Sequence, residues 1–203
     1  MGVSTDISVF KQHEQELVRI AHYDALTGLP NRILLADRMQ QAIAHARRSG
    51  HLLAVGYLDL DGFKQVNDDY GHEAGDALLV EIARRLTGAL RGEDTVARLG
   101  GDEFVFLLGL ERIEDCETAL GRILDVVSAP VDLFQQRVNL SASIGVSLFP
   151  TGDLDPDTLL RHADQAMYLA KQSGKNRYFF YDPGQGKWYV TQRQALERFQ
   201  QAL

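Results

Sequence analysis

Thr95-Val-Ala-Arg-Leu-Gly-Gly-Asp-Glu-Phe-Val-Phe-Leu-Leu108 decides the fold. Thr95–Leu99 and Glu103–Leu108 are rich in β-branched, aromatic and aliphatic residues. Gly100-Gly101 between them is a hairpin signature, because glycine enters left-handed backbone without a Cβ penalty. The turn carries two adjacent carboxylates, Asp102 and Glu103, immediately before a strongly apolar strand. An acidic turn alone reads as solvated surface. A pair of carboxylates set between glycines and an apolar strand calls instead for a neutralising cation.

Upstream, Leu52–Leu58 is a nearly continuous apolar run, as expected of a buried strand, and it ends at Asp59 and Asp61. A helical stretch is expected from Gly75 to Leu90, with Ala77, Leu78, Ile82 and Leu86 on one face. Downstream, Ile113–Val127 reads as a helix stopped before Pro130, and Arg137–Phe149 as an alternating strand. Asp157–Ser173 reads as an amphipathic helix carrying Leu160, Ala163, Met167 and Ala170, and Tyr178–Tyr181 as a last strand. Nearer the start, Asn31 is placed to cap a helix striped by Leu34, Leu35, Met39, Ile43 and Ala46 and closed by Gly50. The order strand, helix, hairpin, helix, strand predicts a ferredoxin-like α+β domain with helices on one face of a largely antiparallel sheet. In that arrangement the first strand is central and lies beside the hairpin, so Asp59, Asp102 and Glu103 point into one cleft.

Such a cleft suits a hard divalent cation, which takes oxygen ligands; Mg²⁺ held by one or two carboxylates keeps positions open for phosphate oxygens. The run Phe63-Lys-Gln-Val-Asn-Asp68, with Gly71-His72 and Gly75-Asp76, offers complementary groups: Lys64 for phosphate, Asn67 and Asp76 for the hydrogen-bonding edge of guanine. Singly, each of these residues also reads as a helix cap or surface group.

The net charge of −7 argues against a general nucleic-acid binder, which needs a basic face, but leaves room for an enzyme that handles phosphates through cations. The single cysteine, Cys116, flanked by Glu114, Asp115 and Glu117, can form no internal disulfide and reads as structural. No apolar run reaches the roughly 20 residues needed to span a bilayer, no signal peptide opens the chain, and no G-x-x-x-x-G-K-[ST] run marks a P-loop. A cytoplasmic domain without direct membrane contact is expected, within a parent that is free to be membrane-attached. Ile7–His22 reads as a helix with apolar Phe10, Leu17, Ile20 and Ala21 near heptad spacing, broken by His13: either a lead-in packed on the domain or a dimerising stalk.

Several blocks, in order, resemble the GGDEF family: Asp24-Ala-Leu-Thr-Gly-Leu-Pro-Asn-Arg32, Asp59-Leu-Asp-Gly-Phe-Lys-Gln-Val-Asn-Asp68, Gly71-His-Glu-Ala-Gly-Asp76, Arg98-Leu-Gly-Gly-Asp-Glu-Phe104, Ser143-Ile-Gly-Val146 and Ala163-Asp-Gln-Ala-Met-Tyr168. The resemblance covers about residues 22–181. It implies a nucleotidyl-cyclase-like fold with a five-stranded, mostly antiparallel sheet flanked by helices. It also implies diguanylate cyclase activity: condensation of two GTP into cyclic di-GMP on Mg²⁺ or Mn²⁺, by a homodimer.

Residue by residue, the resemblance assigns metal to Asp59, the carbonyl of Leu60, Asp102 and Glu103. Asp102 takes the position of the base for the 3′-hydroxyl, with Glu103 its acidic neighbour. Guanine falls to Asn67 and Asp76 with His72 nearby, and phosphates to Lys64, Lys171 and the backbone around Gly62 and Phe63. Gly100 and Gly101 allow close approach of the nucleotide. Lys175 stands where the family commonly has arginine, and Gly62 where it often has a larger residue. Arg91-Gly-Glu-Asp94, by its spacing from Gly100, resembles the family's inhibitory product site; Arg91 and Asp94 pairing across a loop is the simpler alternative. Residues 1–22 are expected to be a linker and signalling helix, 23–181 the domain, and 182–203 a linker. Gly2–Ser8 resembles the last strand of a PAS sensor and Arg193–Leu203 the lead-in to an EAL phosphodiesterase. A regulatory module that binds GTP for such a neighbour is the competing expectation.

Overall fold

The computed structural model describes residues 16–134, 136–150 and 155–182. The expectations placed on residues 1–15 and 183–203, including the PAS-like strand and the EAL-like lead-in, lie outside the described residues. The chain runs α1 (Arg32–Ser49), β1 (Leu52–Asp61), α2 (Phe63–Tyr70), α3 (His72–Ala89), β2 (Thr95–Gly100), β3 (Glu103–Leu110) and α4 (Ile113–Ser128). It continues through β4 (Val131–Leu133), β5 (Gln136–Val138), β6 (Ser141–Phe149), α5 (Pro156–Gln172) and β7 (Arg177–Phe180). Residues 16–22 are also helical.

A five-stranded sheet in the order β2-β3-β1-β6-β7 organises the domain. β1 is antiparallel to both β3 and β6, and β7 runs parallel to β6. As the central strand, β1 is buried along nearly its whole length, which explains its unbroken apolar run.

Alternate residues of β1 serve different cores. Ala54, Leu58 and Leu60 pack with Leu78, Ile82 and Leu86 of α3 and Leu120 and Ile123 of α4. Leu53, Val55 and Tyr57 pack with Leu35 and Met39 of α1 and Leu159, Ala163 and Met167 of α5. Helices therefore cover both faces, correcting the expectation of helices on one face. The cause is legible afterwards: a strand with apolar residues in both alternating sets has two faces to bury. α5 lies so close to β6 that a Cβ on Gly145 would overlap the backbone of Ala163 and Met167.

Local corrections have local causes. The helix expected over Gly75–Leu90 corresponds to α3, which begins earlier, at His72, and a separate short helix, α2, precedes it; Gly71, with φ 84° and ψ 165°, divides the two. The strand expected over Arg137–Phe149 is split: β5 pairs with β4 in a separate two-stranded ribbon, and β6 begins at Ser141. Elsewhere the local chemistry holds. Asn31 Oδ1 accepts from the N–H groups of Ile33 and Leu34 at the start of α1, and Gly50 closes that helix at φ 72°. Leu17, Val18 and Ile20 are exposed, so segment 16–22 does not bury these side chains against the domain.

Candidate functional site

The β1–β3 pairing assembles the site. In its register Asp59 stands opposite Glu103, and one residue further on the Leu60 N–H donates to the Asp102 carbonyl at 3.3 Å. The end of β1 and the Gly100-Gly101 turn are thereby held together by backbone. Gly100 at φ 145° and Gly101 at φ 52° carry the reversal, conformations that side-chain-bearing residues rarely adopt.

Asp59 is 8% exposed. Its Oδ2 meets Lys171 Nζ of α5 at 2.7 Å. Burial pushes its carboxyl up from the ordinary aspartate value; Lys171 opposes this, while the charges of Asp102 and Asp61 add to it. Negative charge has thus been concentrated at a buried position with one lysine to balance it. Glu103 accepts from the Tyr57 hydroxyl at 3.0 Å. Among the described residues, no three His, Cys, Asp or Glu side chains are gathered closely enough to hold an ion. The donors at hand, carboxylates and the Leu60 carbonyl, are all oxygen and fit Mg²⁺ or Mn²⁺.

Asp61 has a different job. It accepts from Ser141 Oγ at 2.7 Å, Ser143 Oγ at 2.8 Å and the Asn176 N–H at 3.2 Å. These bonds tie the end of β1 to β6 and to the loop after α5. Lys175 sits in that loop with φ 60°, its N–H donating back to the Ala170 carbonyl in the last turn of α5. It is exposed and next in sequence to the Asn176 that Asp61 holds.

Immediately after Asp61, Gly62 turns at φ 89° and α2 begins without a side-chain cap. The N–H groups of its first turn, at Phe63 and Lys64, therefore lie just beyond the carboxylates, as a phosphate seat requires. Asn67 is half-buried where α2 meets α3, and a Cβ on Gly75 would overlap its Oδ1. Asp76 follows Gly75 directly and is exposed, as is His72 at the start of α3.

The sequence matches the family described as "Diguanylate cyclase, GGDEF domain" over residues 21–177. The chain belongs to this family. Among its relatives, the bifunctional diguanylate cyclase/cyclic di-GMP phosphodiesterase MucR of Pseudomonas aeruginosa is 44% identical over 189 residues, which is 93% of this chain and 28% of MucR. The chain thus spans less than a third of that protein's length. A structure of TpbB (YfiN) from Pseudomonas aeruginosa, comprising only the GGDEF domain, superposes with a TM-score of 0.76 at 41% identity, covering 79% of this chain and 95% of that one. The coiled coil and GGDEF domain of DgcB from Caulobacter crescentus, solved with cyclic di-GMP, gives a TM-score of 0.79 at 26% identity over 87% of this chain and 94% of that one.

In this GGDEF domain the Arg91–Asp94 loop lies away from the acidic cleft, at the opposite end of β3. There Asp94 Oδ2 accepts from the Arg91 N–H at 2.9 Å, and the Asp94 N–H donates to the Arg91 carbonyl at 3.0 Å. Burial raises the Asp94 carboxyl, with the Arg91 N–H and charge acting against it. The loop adjoins a cavity of about 660 Å³ whose lining includes Arg38, His45, His51 and Glu111.

Three site-building residues had no role assigned from sequence. Arg98 Nε and Nη2 donate to the Gly101 carbonyl at 3.1 and 2.8 Å, while its Nη1 meets Asp24 Oδ1 at 2.9 Å. Asp24 also accepts from the N–H and hydroxyl of Thr27. The turn before β3 is thereby bolted to the segment before α1. Tyr57 is the third, and the period-2 rule would have found it, since it shares a sheet face with Asp59.

No helix among the described residues is long and apolar enough to cross a membrane.

Proposed function

We propose that this domain is a working diguanylate cyclase: each of two protomers presents one GTP, and the paired sites convert them to cyclic di-GMP and two pyrophosphates. The observation that carries the reading is the register that sets Asp59 opposite Glu103 and links Leu60 to Asp102, beside the open start of α2.

Asn67 and Asp76 read the guanine edge, with His72 at the rim of the pocket. Lys64, the first N–H groups of α2, Lys171 and Lys175 hold the triphosphate. Lysine at 175 gives a point charge rather than arginine's two-pronged grip, so its hold on phosphate is the weaker. Asp102 accepts the proton of the 3′-hydroxyl. The oxygen it frees attacks the α-phosphorus of the partner's GTP, and the bond to pyrophosphate breaks; a second, identical attack closes the ring. A divalent cation, Mg²⁺ or Mn²⁺, held by Asp59, Asp102, Glu103 and the Leu60 carbonyl would acidify that hydroxyl and neutralise phosphate charge. One domain seats one GTP, so dimerisation governs rate, and the helical segment ending at residue 22 is the natural element to control it. Arg91 and Asp94 bind product and inhibit. Residues 1–22 and 182–203 act as linkers to flanking domains.

Incubation with GTP and Mg²⁺ or Mn²⁺, followed by chromatographic separation of products, tests this. Cyclic di-GMP is expected from the wild type, with a fall of at least about a hundredfold in Asp102→Ala. Arg91→Ala should keep activity and lose inhibition by added cyclic di-GMP. The name of MucR, which joins cyclase and phosphodiesterase in one protein, favours a second reading: a GTP- or cyclic di-GMP-binding module governing an adjacent phosphodiesterase domain. GTP binding without product would select it.

A further inference from the structure

Tyr57 and Asp59 stand two residues apart on β1 and so face the same way, towards α1 and α5. The Tyr57 ring is packed into the apolar cluster formed with those helices, and the residue is 9% exposed. Its hydroxyl is the polar end of that cluster and donates to Glu103 Oε2 at 3.0 Å. One oxygen of Glu103 is therefore committed within the protein, while its backbone is fixed by pairing with Asp59.

We infer that Tyr57 is a positioning residue that sets the cation preference of the site. The hydroxyl's bond occupies one lone pair of Oε2 of Glu103 and fixes its direction, which biases that carboxylate to meet a divalent ion through its other oxygen. The inference rests on the cation site proposed above. Mg²⁺ requires near-octahedral geometry and few protein ligands, and a one-oxygen carboxylate on a rigid strand meets that requirement. Larger ions such as Ca²⁺ take more oxygens and readily accept both from one carboxylate. With Oε2 released, Glu103 can bind through both oxygens, and the discrimination against the larger ion weakens.

Tyr57→Phe keeps the ring and removes only the hydroxyl. Wild type and variant are titrated calorimetrically with Mg²⁺, Mn²⁺ and Ca²⁺ in the presence of α,β-methylene-GTP, whose bridging carbon prevents pyrophosphate release. In the variant the Mg²⁺-to-Ca²⁺ affinity ratio should fall about tenfold, the lower end of what loss of a ligand's hydrogen-bond partner does to metal affinity. The KM for Mg²⁺ in turnover should rise while kcat at saturating Mg²⁺ changes little. A ratio within twofold of wild type overturns the inference and leaves the cyclase reading intact, provided the wild type forms cyclic di-GMP. A wild type that binds neither analogue nor cation and forms no product overturns both. Should Tyr57→Phe fail to fold, 3-fluorotyrosine placed at position 57 replaces it. Its fluorine resonance is expected to shift when Mg²⁺ and analogue bind, and a resonance that stays in place overturns the inference.

Discussion

Removing the Asp24 carboxylate should loosen the domain at a point that composition would never single out. The Arg98 and Asp24 side chains are 10% and 21% exposed, and their ion pair is 2.9 Å long. Breaking a fully buried pair from one side costs about 3–5 kcal/mol, because the surviving charge is left uncompensated. Partial exposure, and the Gly101 carbonyl still available to Arg98, lower the figure for Asp24→Ala to about 2–3 kcal/mol, including the lost bonds to Thr27. At roughly 2–4 °C per kcal/mol for a domain of this size, the melting temperature should fall by about 5–10 °C. Asp24→Asn retains acceptors for Thr27 and should lose about half as much by the same reasoning.

The pH dependence of that loss is fixed in sign. Burial raises the Asp24 carboxyl, but the bonds from Thr27 and the bond and charge of Arg98 outweigh it, so the folded value lies below the usual 3.8. A carboxylate depressed on folding contributes stability that is full above its unfolded value and is lost as pH falls through the folded one. The melting-temperature gap between wild type and Asp24→Asn should therefore be constant near neutrality and close as pH drops below about 4. Thermal melts followed by circular dichroism from pH 3 to 8 measure it. A shift under about 1 °C at pH 7, or a gap that widens in acid, would refute the claim that this pair braces the turn.

Gly145→Ala should cost about 3 kcal/mol or more, the upper end for overpacking, because its Cβ would meet the backbone of Ala163 and Met167, which has no rotamer to change; chemical denaturation checks it, and a loss under 1 kcal/mol would mean that α5 can lift off β6. Lys171→Met should strengthen Mn²⁺ binding in the nucleotide-free protein about fivefold, since the ammonium now on Asp59 Oδ2 competes with the ion and its partial exposure limits the effect. The same variant should weaken binding of α,β-methylene-GTP, and weaker Mn²⁺ binding without nucleotide, measured by paramagnetic resonance, would contradict the exchange.

The hairpin, the central strand and the caps at Asn31 and Gly50 were legible because each follows from neighbouring residues: glycine pairs, an apolar run, a side chain reaching its own helix. The layer arrangement was misread because β1 is apolar on both faces, and a pattern with no polar side cannot report how many layers cover it. The short α2 left no periodic signal, because its charged and aromatic residues carry only one buried anchor, Val66. Arg137–Phe149 was read as one strand because the two-residue gap after Val138 contains no glycine or proline to mark it. Asp24 and Arg98 were visible only as parts of matched blocks; their mutual contact joins positions far apart in the chain, which no periodicity encodes.

The acidic turn illustrates why local and distant information must agree for chemistry to appear. Asp102 and Glu103 were recognisable from their own surroundings, yet an acidic hairpin turn is ordinary surface until something fixes where its carboxylates point. Backbone pairing with β1 supplies the opposing carboxylate, Arg98 clamps the turn's carbonyl, and Tyr57 takes one oxygen of Glu103. Each restraint arrives from a different element, and the Arg98 clamp is itself anchored through Asp24 to the segment that follows the helix at residues 16–22. A displacement of that segment therefore has a short covalent and hydrogen-bonded route to the acidic turn, whereas the guanine-side residues on α2 and α3 lie farther along that route, beyond Leu60 and Asp61. Perturbations entering from the N-terminal side should on this account change turnover more than nucleotide affinity.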